Sequence, residues 1–144
     1  FYTYALDNEP DEINKAQYAY RLAQTYGAMN KNNSAKSYAL KAATFRSGWG
    51  EPYLLIGDLY AKTSRQCGEF KTEFLKRVGY WAAIDKYEYA KRIDPQLSKK
   101  SNERIEKYTK QMPSKTDIFS EGLIDEPSYK IDCWYSETVK IRVP

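Results

Sequence analysis

The feature that most constrains this chain is a recurrence of like residues 34 positions apart. Leu22 and Tyr26 return as Ile56 and Tyr60. A second spacing runs back from two prolines: Ala90, Tyr87 and Ala83 stand five, eight and twelve residues before Pro95, and Ala5 and Tyr2 stand five and eight before Pro10. A period of this length marks one supersecondary unit that cannot bury its apolar face alone and stacks on copies of itself.

Within that period the apolar residues step by three and four, as on one face of a helix. Ile13, Ala16, Ala19, Ala23 and Tyr26 predict a helix over 11–29, and Ala35, Ala39, Ala42 and Phe45 predict one over 34–46. Gly48 and Gly50 end the second helix, and Pro52 opens a third over 53–62, where its missing N–H costs nothing. A polar stretch, 63–69, precedes a long helical pattern over 70–93, stopped by Asp94-Pro95. A more polar helix follows over 97–112, with Ile105, Tyr108 and Met112 as its thin apolar stripe. Valine is scarce in the first hundred residues, while 14 Tyr and 3 Trp are set among alanines, so the expected core is aromatic rings interlocked with Ala. From Tyr129 the period changes to two: Tyr129, Ile131 and Cys133, then Val139, Ile141 and Val143, alternate with polar residues across a short break, the pattern of a β-hairpin.

Composition removes several classes of function. There is no His and there are only two Cys, which excludes Ser-His-Asp and Cys-His catalysis, His-ligated metals and four-Cys zinc sites. No pair of carboxylates sits in a recognisable catalytic setting, so no catalytic, cofactor-binding or metal-binding residue is expected. A net charge of +4, from 23 basic and 19 acidic residues, lacks the concentrated basic stripe of a nucleic-acid binder. The basic residues of the polar helix, Lys99, Lys100, Arg104, Lys107 and Lys110, read as a solvated face. The longest uncharged run, from Leu22 to Asn30, is nine residues, too short to span a bilayer. The chain opens at Phe1 without an initiator methionine and is read as a fragment of a longer protein.

The aligned positions resemble the tetratricopeptide repeat (TPR): an aromatic, a Leu-Gly and a Tyr on the first helix, then Ala, an aromatic and Ala on the second, then Pro. Tyr53, Ile56-Gly57, Tyr60, Ala83, Tyr87, Ala90 and Pro95 carry it in one unit, and Leu22-Ala23, Tyr26, Ala35, Ala39 and Ala42 in another. Ser47 stands where Pro is usual, and Ala39 where an aromatic is usual. The resemblance implies a mainly α, TPR-type α-solenoid over 1–112. It would comprise the end of one repeat at 1–10, full repeats at about 16–49 and 50–97, an insertion at about 63–79 around Cys67, and a capping helix at 97–112. Residues 113–144 form a C-terminal tail with its hairpin packed on the solenoid end. Phe70, Phe74 and Val78, or Ile105 and Tyr108, are the expected cover for the hairpin.

A closer likeness covers about residues 40–144: Gly48-Trp49-Gly50-Glu51-Pro52-Tyr53, Cys67-Gly68, Tyr80-Trp81-Ala82-Ala83-Ile84-Asp85-Lys86-Tyr87, Pro113-Ser114-Lys115, and Trp134-x-x-Glu137-Thr138. This pattern is similar to the C-terminal region of a Bacteroidota cell-envelope TPR family. It implies a periplasmic or outer-membrane setting and a non-catalytic protein–protein interaction scaffold, a subunit or accessory of a membrane-protein assembly, with no cofactor. The first helices of TPR units line a groove, and by spacing this places Gln17, Tyr20, Arg21 and Gln24 beside Glu51, Leu54, Asp58 and Lys62 as the partner surface. The alternative is a carbohydrate-binding or enzyme-associated accessory module, in which Trp49, Trp81 or Trp134 stacks on sugar. Cys67 and Cys133 are open to two readings: a disulfide, favoured by an extracytoplasmic setting, or separate packing, with Cys133 on the covered side of its strand.

Overall fold

The computed structural model describes residues 2–144. It is mainly helical, with a small two-stranded antiparallel sheet at the end. The helices are α1 (Tyr2–Asn8), α2 (Glu12–Ala28), α3 (Asn32–Phe45), α4 (Glu51–Cys67), α5 (Glu73–Ile93), α6 (Ser98–Thr109) and α7 (Lys115–Ser120), and the strands are β1 (Ser128–Asp132) and β2 (Ser136–Lys140). Phe1, placed by the sequence in the first repeat fragment, lies outside the described residues.

Local chemistry sets the helix starts. The Asp11 carboxylate accepts from the N–H groups of Ile13 (2.9 Å) and Asn14 (3.1 Å) at the head of α2. The Thr72 hydroxyl accepts from Leu75 N–H at the head of α5. Ser114 and Asp117 form a reciprocal capping box on α7. Pro52 sits in the first turn of α4.

Each of α1 to α6 packs on its neighbours in sequence, most extensively α2 with α3 and α4 with α5. The α4–α5 contact is close because glycines stand where the two helices meet. A Cβ on Gly57 would lie 2.5 Å from the Tyr87 ring, and one on Gly79 would lie 2.7 Å from the Ser64 side chain. Trp81, Tyr60, Tyr87 and Phe74 fill the core between buried alanines.

Three expectations are corrected here. The third helix, expected to end at 62, runs on through 63–67 as α4, and α5 has 21 residues where α3 has 14, so the residues expected as an insertion at about 63–79 are in helix and a turn. The 63–67 stretch reads as polar, yet Thr63 and Ser64 are buried. The Thr63 hydroxyl donates to Leu59 O (2.8 Å) and the Ser64 hydroxyl to Lys76 O (2.8 Å), which satisfies both inside the α4–α5 contact. Phe70, expected in the long helix and under the hairpin, is in the turn before α5, 95% exposed and with φ at +62°.

The hairpin pairs Tyr129 with Val139 and Ile131 with Glu137. Ile131 and Val139 are buried, as the alternation predicts. Because Glu137 opposes Ile131, it too is on the inward face, although the sequence suggests a turn there. The tip is Cys133-Trp134-Tyr135, closed by a hydrogen bond from Cys133 N–H to Tyr135 O (2.9 Å). Every tip residue meets α4. Cys133 is disulfide-bonded to Cys67, Trp134 Nε1 donates to Thr63 Oγ1 (3.0 Å), and the Tyr135 ring stacks on Tyr60 at 3.9 Å. Farther along, Tyr129 meets Phe74 edge-on at 5.1 Å, and Arg142 pairs with Asp85 (2.8 Å). The tail therefore lies across α4 and α5 as well as beyond them.

Trp81 is fully buried (0%), and its indole N–H donates to Arg142 O at 3.2 Å, joining the core to the last residues of the tail. Replacing Trp81 with Ala is expected to cost about 3–5 kcal/mol in denaturant unfolding, the range for emptying a buried aromatic site. A loss under about 1 kcal/mol, the size of an ordinary surface change, would contradict this packing.

Candidate functional site

The expected partner surface takes one residue per helical turn from α2 and from α4. On α2, Gln17, Arg21 and Gln24 are exposed and Tyr20 is half-buried. The Tyr20 hydroxyl is pushed up to about 12 by burial first, then by the charges of Glu51 and Asp58. It stays protonated at neutral pH.

The α4 half differs from the expectation. Leu54 is 2% exposed and belongs to the core, so it is not a surface contact. Polar side chains of α6 reach α4 here instead of facing solvent throughout. Lys100 pairs with Glu51 at 3.0 Å. Arg104 holds Asp58 through two hydrogen bonds, Nε to Oδ1 (2.9 Å) and Nη2 to Oδ2 (3.3 Å). The Tyr87 hydroxyl donates to the same Asp58 Oδ1 at 2.6 Å. Lys62 turns the other way, toward the end of α2, and donates to Gly27 O (2.9 Å) and Asn30 Oδ1 (3.3 Å). Four of the eight expected residues, Gln17, Tyr20, Arg21 and Gln24, thus remain on an accessible face, while Glu51, Asp58 and Lys62 tie helices together.

What the spacing argument missed is the aromatic pair at the edge of this face. Trp49, in the turn before α4, lies 5.0 Å from Tyr20, and the Arg46 guanidinium lies 4.8 Å over the indole. A recess of about 240 Å³ opens beside them, lined by Arg46, Trp49, Glu51, Asp94, Gln96 and Leu97 among others. Asp94 Oδ2 accepts from Gly50 N–H (3.0 Å), fixing the turn. Of the three tryptophans expected as sugar platforms, Trp81 is buried and unavailable, whereas Trp49 and Trp134 are half-buried.

A second polar cluster lies under the tail. Glu137 Oε2 accepts from the Tyr60 hydroxyl (2.8 Å) and pairs with Lys86 (2.9 Å). Lys36 of α3 lies over the rings of Tyr60 (5.4 Å) and Tyr135 (5.9 Å). Burial lowers the Lys36 ammonium pKa, against the pull of Glu137. Burial alone would raise the Glu137 carboxyl, but hydrogen bonds from Lys86 and Tyr60 and the charges of Lys86 and Lys36 outweigh it and hold the group below its ordinary range. Among the described residues, no group of three His, Cys, Asp or Glu side chains is placed to hold a metal ion, and no helix is long and apolar enough to cross a membrane.

No family model, curated protein or solved structure matches the chain.

The depressed Glu137 pKa gives a signed pH dependence. The unfolded chain takes up this proton first as pH falls, so the stabilisation is present above the ordinary value of 4.5 and is lost as pH falls through the folded value. Glu137→Gln is expected to lower stability at neutral pH and to shrink the loss between about pH 5 and pH 3, measured by denaturant unfolding at each pH. An unchanged acid limb would contradict the pairing.

Proposed function

We propose that this chain is a TPR-type helical scaffold, non-catalytic, that binds a protein partner on the α2 face and the adjoining Tyr20–Trp49–Arg46 cluster. The observation that carries the reading is that cluster. Tyr, Trp and Arg are the residue types that dominate binding energy at protein interfaces, and here Tyr20 and Trp49 are half-buried and Arg46 exposed, with exposed Gln17, Arg21 and Gln24 on the same helix as Tyr20. The TPR reading is supported by the 34-residue recurrence and by the packing of each helix on its sequence neighbours. A cell-envelope setting, as part of a periplasmic or outer-membrane assembly of the Bacteroidota type, is supported by the Cys67–Cys133 disulfide, since such bonds persist in oxidising compartments.

The test uses residues outside the core. A photo-crosslinking residue at Gln17 is expected to capture a partner in intact envelopes, and Arg21→Glu is expected to reduce that capture at least about tenfold, as when a charge is reversed at an interface. The melting temperature should remain unchanged. Equal capture from Arg21→Glu, or capture only from sites on the tail, would overturn the assignment of this face.

A further inference from the structure

On another part of the surface, a recess of about 340 Å³ is lined by Asn30, Lys31, Asn32, Asn33, Ser34 and Trp134. That volume is within the range of small-molecule sites, about 300–1,000 Å³. We propose that it is a binding site for a neutral saccharide, independent of the protein-binding face.

The lining has an unusual composition. It contains three carboxamides, one hydroxyl, one ammonium and one indole, with no carboxylate and no branched aliphatic side chain. Without carboxylates it lacks the anionic ligands on which protein sites for hard cations are built, and without aliphatic walls it does not suit an apolar ligand. A sugar ring carries C–H groups on its faces and hydroxyls around its rim. The hydroxyls both donate and accept, as carboxamides do, and the C–H face suits an aromatic wall.

The site is built before any ligand arrives. Trp134 is held by its N–H bond to Thr63 Oγ1 (3.0 Å) and by the disulfide at the preceding residue. With the indole N–H already engaged, the ring has carbon surface to present. Its neighbours Tyr60 and Tyr135 are inclined to it by 53° and 71°, so neither lies parallel on it. Across the recess, Asn30 has φ at +60°, a conformation Asn tolerates better than most residues, and its Oδ1 accepts from Lys62 Nζ (3.3 Å). Asn32 Oδ1 is enclosed and meets no donor among the described residues. The one cation, Lys31, lies 6.0 Å from the Tyr26 ring centroid.

The experiment is a ¹H–¹⁵N titration of the full chain with glucose, galactose, mannose, N-acetylglucosamine, maltose and cellobiose. At least one of these is expected to give saturable shifts centred on the Trp134 indole N–H and the amides of residues 30–34. Asn32→Ala and Asn33→Ala, neither of which removes a hydrogen bond within the fold, are each expected to weaken that binding at least tenfold with the melting temperature unchanged. No saturable shift across the panel, shifts centred on Trp49, or binding undiminished in both variants would overturn the site. None of these outcomes bears on partner capture at Arg21.

Discussion

Docking of three consecutive residues, Cys133, Trp134 and Tyr135, onto the C-terminal half of α4 organises the rest of the molecule. A two-stranded hairpin is marginal in water on its own. Here its tip is fixed by a covalent bond, a hydrogen bond to Thr63 and a ring stack on Tyr60, three interactions of different kind within about two turns of one helix. With the tip fixed, β1 and β2 lie over α5, Ile131 and Val139 close the core, and Glu137 arrives between Lys86 and Tyr60. The disulfide links positions 66 residues apart, so it removes a large part of the unfolded chain's freedom, an effect of about 2–4 kcal/mol.

The same logic governs the other side of α4. Lys100 and Arg104 bind Glu51 and Asp58 there, so α6 occupies the surface beside α4 and leaves α2 as the accessible half. Exposed ion pairs contribute little to stability. The bidentate Arg104–Asp58 pair, with Tyr87 donating to the same carboxylate, fixes the register of α4, α5 and α6. The proposed partner surface is therefore a consequence of packing: charges that would have faced a ligand hold the scaffold together, and the aromatic cluster at the turn before α4 remains.

Much of the helical pattern was legible in the sequence because burial there follows a simple period. Ala16, Ala19 and Ala23 on α2, and Ala35, Ala39 and Ala42 on α3, are all buried at the predicted steps. The alternation of Tyr129, Ile131 and Val139 likewise marked the strands. Periodicity failed where polar atoms are satisfied inside the fold. Thr63 and Ser64 looked like a loop, and Glu137 looked like a turn, because their partners, Leu59 O, Lys76 O and the Tyr60–Lys86 pair, cannot be read from local sequence. Leu54 was assigned to the surface by helical spacing alone, which carries no information about the tertiary packing that buries it. The Tyr20–Trp49 pair was missed for the opposite reason: Trp49 stands outside any helix, so no period points to it.

The claim that the tail is an integral part of the folded unit is tested most directly by native-state hydrogen exchange. The inward amides of β1 and β2, at Ile131 and Val139, should open with the same free energy as amides in the middle of α5, near Trp81, and should respond equally to denaturant. Exchange of the strand amides at a much lower free energy, with α5 still protected, would mean that the hairpin opens alone and that its docking on α4 does not hold the structure together.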